Sequence, residues 1–140
     1  MNIRQRVFAW LAWIYVAAVG VQFALAGLGL PQLGGQGMAA HIEFGYMGLS
    51  MTPILLVISS IVARAGRKAT TLTVLLTVFA FVQPIWVASF KGRWPAALHI
   101  LGAGAILTLS LAIAMLATRQ GPLNLDQVET EESVRAVPAP

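Results

Sequence analysis

Four stretches of the chain, Val7–Gly29, His41–Ala63, Ala69–Phe90 and Pro95–Thr118, are apolar on every side, and polar positions gather in the links between them. Each is long enough for the roughly 20 helical residues that cross a hydrocarbon layer about 30 Å thick. None shows the period-two alternation of a barrel strand, so the pattern predicts four transmembrane helices. The links Leu30–Gly37, Arg64–Lys68 and Lys91–Trp94 are short, which makes successive helices antiparallel neighbours. The expected fold is an all-α integral membrane protein, an up-down four-helix bundle over residues 1–118.

Composition agrees. Hydrophobic residues make up 58% of the 140 and charged residues 10%, against roughly a quarter charged in soluble domains. So short a chain has too little interior to hide that much apolar surface, which leaves the lipid bilayer as its solvent. The net charge of +4 is unevenly spread. Arg4, Arg6, Arg64, Arg67, Lys68 and Arg119 fall on one side of the predicted membrane, and Lys91 and Arg93 on the other. The positive-inside bias therefore places both termini in the cytoplasm. Cations that punctuate apolar runs orient helices and do not build a nucleic-acid groove, so no nucleic-acid partner is expected. Trp10, Trp13 and Trp94 suit the interfacial aromatic belts.

The first span shares features with a signal peptide: Arg4 and Arg6, an apolar run, then Ala24-Leu25-Ala26 before Gly27. Its apolar run is longer than a usual signal core, so the span is expected to be retained. Residues 119–140 change to Gly, Pro, Asp, Glu and Ser, a composition that cannot bury enough apolar surface to order itself. They predict a disordered acidic tail on the cytoplasmic side.

The two halves echo each other. A span with one Gln in its outer half (Gln22, then Gln83) is followed by an outer link and by Ala39-Ala40-His41-Ile42 or Ala96-Ala97-Leu98-His99-Ile100. With two spans in each half, such a repeat runs parallel, about an axis along the membrane normal. It places the two histidines near the outer ends of the second and fourth helices, which lie diagonally across an up-down bundle and can face each other. His99 lies about 6 Å inside a helix that starts at Pro95, and His41 lies near the interface unless its helix starts earlier, near Gly37.

An ionisable residue at membrane depth is a functional candidate whose partner has to be named, and here each histidine is the other's partner. Cysteine is absent, which excludes disulfides, thiolate metal sites, iron-sulfur clusters and c-type haem attachment. Two neutral imidazoles on opposing helices can serve as axial ligands of one haem b. Gly45 and Gly48 share a face with His41, and Gly102, Ala103 and Ile106 follow His99. Such small residues leave bare backbone for a macrocycle, and equally allow close helix packing. Lys91 and Arg93 can meet the haem propionates. Histidines that merely pack at the interface, a proton relay, and another metal remain open on spacing alone. Glu43, two residues after His41, points to another face of the helix and reads as an interfacial carboxylate. Gln22 and Gln83 read as interhelical glue, and Met38, Met47 and Met51 as packing or lipid-facing side chains. Pro53 and Pro84 should kink their spans and open room in the core.

With these motifs the chain resembles one half of the haem A synthases, membrane proteins built of two four-helix halves with haem-binding histidines at the outer ends of the second and fourth helices. It is also similar to a family of small bacterial four-span proteins with a Gln in span one, H-x-x-x-G on span two and Ala-Leu-His on span four. The resemblance implies that His41 and His99 are the axial ligands and that Ala97-Leu98-His99 is the span-four motif. The chain departs from haem A synthase in lacking a second half and loop cysteines, and its acid follows the histidine where that family's precedes it. The function expected is a small b-type cytochrome-like protein in electron transfer, acting as a partner subunit or a homodimer. The alternative is a non-haem scaffold or assembly subunit with structural histidines.

Overall fold

The computed structural model describes residues 1–31, 34–91 and 93–119; of the acidic tail expected over 119–140, Arg119 is instead the last residue of a helix and the rest lies outside the described residues. Its elements are α1 (Ile3–Leu28), α2 (Gly37–Glu43), a π-helical turn (Phe44–Leu49), α3 (Thr52–Val62), α4 (Gly66–Ser89), a 3₁₀ turn (Trp94–Ala97) and α5 (Leu98–Arg119). No strand occurs among the described residues. From α2 through α3 the chain forms one span, so four helical units are long and apolar enough to cross a membrane. α1 packs on α5 and on both α2 and α3, and α4 packs on α3 and α5. Successive spans thus form a ring with the second and fourth on one diagonal, the arrangement that the short links predict.

Helix boundaries depart from the apolar runs for local reasons. α1 starts at Ile3 instead of Val7, because Asn2 and Gln5 form a reciprocal cap: each side-chain oxygen accepts the other's backbone N–H at 3.0 Å. The second span starts at Gly37 instead of His41. A Cβ at Gly37 would lie 2.5 Å from the Leu25 carbonyl oxygen, so glycine here allows α2 to close on α1. His41 consequently sits about 6 Å inside its helix, at one and a half ångströms of rise per residue. The 3₁₀ turn at Trp94–Ala97 delays the last α-helix to Leu98.

The second span is not the uninterrupted α-helix expected over His41–Ala63. At the π-turn Ser50 N–H bonds the Gly45 carbonyl, five residues back. In an unbroken α-helix Leu56 and Ser60 would lie about 60° and 100° round the axis from His41. The π-turn takes up about one extra residue, or about 100°, and brings both back to His41's side. Leu49, Leu56 and Ser60 are buried as a result.

Each proline inside a span leaves the carbonyl four residues earlier without its helical donor, and a neighbouring span supplies a hydroxyl to both. Pro53 frees Leu49, whose oxygen accepts from the buried Tyr15 hydroxyl of α1 at 3.1 Å. Pro84 frees Ala80, whose oxygen accepts from Ser50 Oγ at 3.1 Å. Inside a membrane, where no water could replace the lost bond, such hydroxyls would make proline tolerable. Tyr15→Phe and Ser50→Ala are each expected to destabilise the bundle by about 1 kcal/mol, since a buried acceptor is orphaned without a change of shape. Thermal unfolding in detergent checks this, and an unchanged midpoint in both variants would refute the capping role.

The apolar core lies toward the end of the bundle that carries Ile3 and Arg119. Phe8, Ala12, Tyr15, Leu56, Leu76, Ile113, Ala114 and Ala117 are each at most 1% exposed, and Ser60 joins Thr70 and Thr73 between α3 and α4. Along the spans buried apolar side chains stop at Val19, Leu49, Ala80 and Ile106. Outward-facing positions are apolar too: Trp10, Ile14, Ile58, Ile85, Ile100 and Leu101 are exposed. A surface of this kind suits contact with lipid.

Candidate functional site

Beyond the level where the apolar core ends, four polar side chains occupy the centre of the bundle, one from each span: Gln22 of α1, His41 of α2, Gln83 of α4 and His99 of α5. The two imidazoles stand across the diagonal with ring centroids 6.2 Å apart and planes at 87°. Both rings are half-buried and Gln83 is buried.

Each histidine is held by the glutamine of its own half. Gln22 Nε2 donates to the main-chain oxygen of His41 at 2.9 Å, and Gln83 Nε2 donates to that of His99 at 3.3 Å. In return His41 Nδ1 lies 3.1 Å from the Gln22 main-chain oxygen, and His99 Nδ1 lies 2.8 Å from Gln83 Oε1. A carbonyl oxygen can only accept, so Nδ1 carries the proton in both rings. The amide orientation of Gln83 follows from the same logic, because its NH2 end must face the His99 carbonyl and its oxygen therefore faces Nδ1. Both Nε2 atoms are thereby left unprotonated, with a free lone pair. Among the described residues His41 Nε2 has one polar neighbour, Gln22 Nε2 at 3.5 Å, a weak contact beside that amide's bond to the main chain. Gln22 Oε1 is buried without a partner.

The glycines expected to leave bare backbone for a ligand are otherwise employed. A Cβ at Gly102 would collide with the Gln83 carboxamide, and one at Gly45 would lie 2.8 Å from Gln22 Nε2. A Cβ at Gly48 would lie 2.9 Å from the Phe44 ring. Gly45 and Gly102 thus make room for the two glutamines, one in each half. Lys91 and Arg93 are exposed in the link between α4 and α5, at the histidine end of the bundle. Glu43 ends α2, exposed on the rim of a shallow outward groove with Leu25, Ala40, Phe44, Met47 and Gly48. Met38, Met47 and Met51 are exposed and do not enter the centre.

Reading Gln22 and Gln83 as interhelical glue anticipated bonds across spans and missed that those bonds go to the histidines. The signal was present in the paired offsets. Each Gln lies a similar distance before its His, 19 residues in one half and 16 in the other, and each His is followed by the glycine that the Gln needs. Tyr15 and Ser50 were missed as proline partners, although counting four residues back from each proline marks the carbonyls they serve.

The residues fit one kind of metal group better than others. Among the described residues no cluster of three or more His, Cys, Asp or Glu side chains exists to hold a bare ion, whereas structural zinc takes four protein ligands and catalytic zinc three. A haem would bring four nitrogens of its own and ask the protein for two, and two imidazoles are what the described residues offer at the centre. Compared with protein families, curated proteins and solved structures, the chain gives no match.

Proposed function

We propose that the protein is a small b-type cytochrome-like electron carrier of the bacterial inner membrane, both termini cytoplasmic, that holds one haem b between His41 and His99 near the outer face. The observation that carries this is the pair of imidazoles side by side across the bundle, each donating from Nδ1 and so leaving Nε2 unprotonated. The two ring centroids stand 6.2 Å apart, and His41 and His99 are the residues that would hold the group. A haem bound there supplies reversible one-electron chemistry at iron. Ligation by both histidines leaves no open position for oxygen, which favours electron transfer over oxygen activation.

The chain's residues divide the remaining work. The Gln22 main-chain carbonyl and the Gln83 side chain would hold the two rings in the tautomer that ligates through Nε2, the end of the apolar core at Val19, Ala80 and Ile106 leaves the centre to polar groups, and Lys91 and Arg93, exposed at this end, would pair with propionates. Donor and acceptor would meet the site at this outer end, as a partner subunit or a second copy of the chain.

An absorption spectrum of detergent-purified protein, oxidised and then reduced with dithionite, tests the proposal. We expect a sharp reduced α-band and close to one haem per chain. Ring planes near perpendicular should further give the oxidised protein a strongly anisotropic low-spin EPR signal in place of a resolved rhombic one. A featureless spectrum after expression with ample haem would overturn the proposal and favour a scaffold with structural histidines. Replacing Lys91 and Arg93 together with Ala is expected to speed haem loss to an apo-globin acceptor while leaving the α-band in place. An unchanged loss rate would remove them from the site.

A further inference from the structure

The two histidines are tied by similar bonds of different origin. His41 Nδ1 donates to a main-chain carbonyl, that of Gln22, and His99 Nδ1 donates to a side chain, Gln83 Oε1. Free neutral imidazole does not hold its proton on Nδ1 by itself, and which nitrogen is protonated is set by the bond that the ring makes. Gln83 is buried at 9% exposure, pinned at its NH2 end by the His99 carbonyl, and seated where Gly102 has no Cβ. It has little freedom to do anything but present its oxygen to Nδ1.

We infer that Gln83 is a positioning residue that fixes the tautomer of His99 and aims its Nε2 lone pair into the centre, while His41 receives the same instruction from backbone that no side-chain substitution removes. The two halves are therefore unequal. The His99 side is tunable through one residue and the His41 side is not. Gln22, the counterpart of Gln83, donates to its histidine's carbonyl at 2.9 Å and reaches the ring only through the 3.5 Å approach of its Nε2 to His41 Nε2, a contact that favours the tautomer the main chain already sets. The inference rests on the haem proposal for its purpose but not for its test, because tautomers can be read in the free chain.

The experiment uses the full chain labelled with nitrogen-15 histidine, expressed under haem limitation and held in detergent at mildly alkaline pH, where imidazole is neutral. Multiple-bond proton–nitrogen correlation reports which ring nitrogen carries the proton. In wild type both rings are expected to be protonated at Nδ1, a result that needs no assignment. In Gln83→Leu one ring should move to the Nε2-protonated form, in Gln22→Leu neither should, and Gln83→Glu, which keeps an acceptor oxygen, should restore the wild-type pattern. An Nε2-protonated ring in wild type would overturn the inference without any variant, and so covers the case in which Gln83→Leu does not fold. Two unchanged rings in Gln83→Leu, or two changed ones, would overturn it as well.

A second readout applies to the haem-loaded protein. An Nδ1–H bond to a carbonyl raises the ligand's basicity and favours the oxidised metal. Gln83→Leu should therefore shift the midpoint potential upward, and Gln22→Leu should leave it in place. A chain with both tautomers as expected that never takes up haem would end the haem proposal and leave the positioning role standing. A haem-loaded chain with unmoved potential and tautomer in Gln83→Leu would do the reverse.

Discussion

His99→Ala is expected to reduce the haem content of the purified protein to background, and His41→Ala to do the same. On the proposed function each ring would supply one of two protein bonds to the metal, and neither has a spare nearby. Met38, Met47 and Met51 point outward, Glu43 lies on another face, and the described residues hold no further histidine. With one ligand gone, the remaining imidazole would leave a five-coordinate centre with no protein bond on its other side. A haem b has no covalent tether, and with no cysteine in the chain none can form. The size of the loss separates the proposal from its alternative. A histidine that merely packs contributes a hydrogen bond or two to stability, about 1 kcal/mol each, and its removal changes no absorption spectrum. Imidazole added to His99→Gly gives the complementary check, since the small ligand can enter the space the side chain vacated and restore the α-band. Stoichiometric haem in both alanine variants would sink the proposal.

How much of this site can be read without coordinates depends on which interaction writes it. Four helices long and apolar enough to span a membrane follow from the apolar runs because lipid would act on every exposed position, and Ile58, Ile85 and Leu101 are exposed as that requires. The diagonal of His41 and His99 follows from link length alone. What escaped was register. The π-turn at Phe44–Leu49 redirects one face of a helix by a single residue, and a uniformly apolar run carries no periodic mark from which that could be read. Helix starts at Ile3 and Gly37 depend on an Asn–Gln cap and on one close approach to the Leu25 carbonyl, both invisible to hydropathy. The glycines after each histidine were seen as space and assigned to the wrong occupant, because a missing Cβ says that something is close without saying what.

Gly102→Ala and Gly104→Ala, two residues apart on α5, are expected to change stability in opposite directions. Alanine in a helix interior is ordinarily favoured over glycine by roughly 0.5–1 kcal/mol. At Gly104 a Cβ meets nothing within 4 Å, so that gain should appear as a raised unfolding midpoint. At Gly102 the same methyl needs the space that the Gln83 carboxamide fills. The helix backbone cannot yield by that much, so the glutamine must leave. Its departure breaks the bond to the His99 carbonyl and the bond from His99 Nδ1, and leaves a buried amide with partners to find. Each buried polar group stranded in this way costs about 1–3 kcal/mol, enough to reverse the sign of the helix-propensity term. The corresponding Gly45→Ala should cost less. The nearest atom to its Cβ is Gln22 Nε2 at 2.8 Å, the end of a flexible side chain, and His41 keeps its bond to the Gln22 main chain whatever that side chain does. Unfolding midpoints of the three alanine variants in one detergent test the ordering. Gly102→Ala as stable as Gly104→Ala would mean that Gln83 does not occupy the place beside His99 on which its positioning role depends.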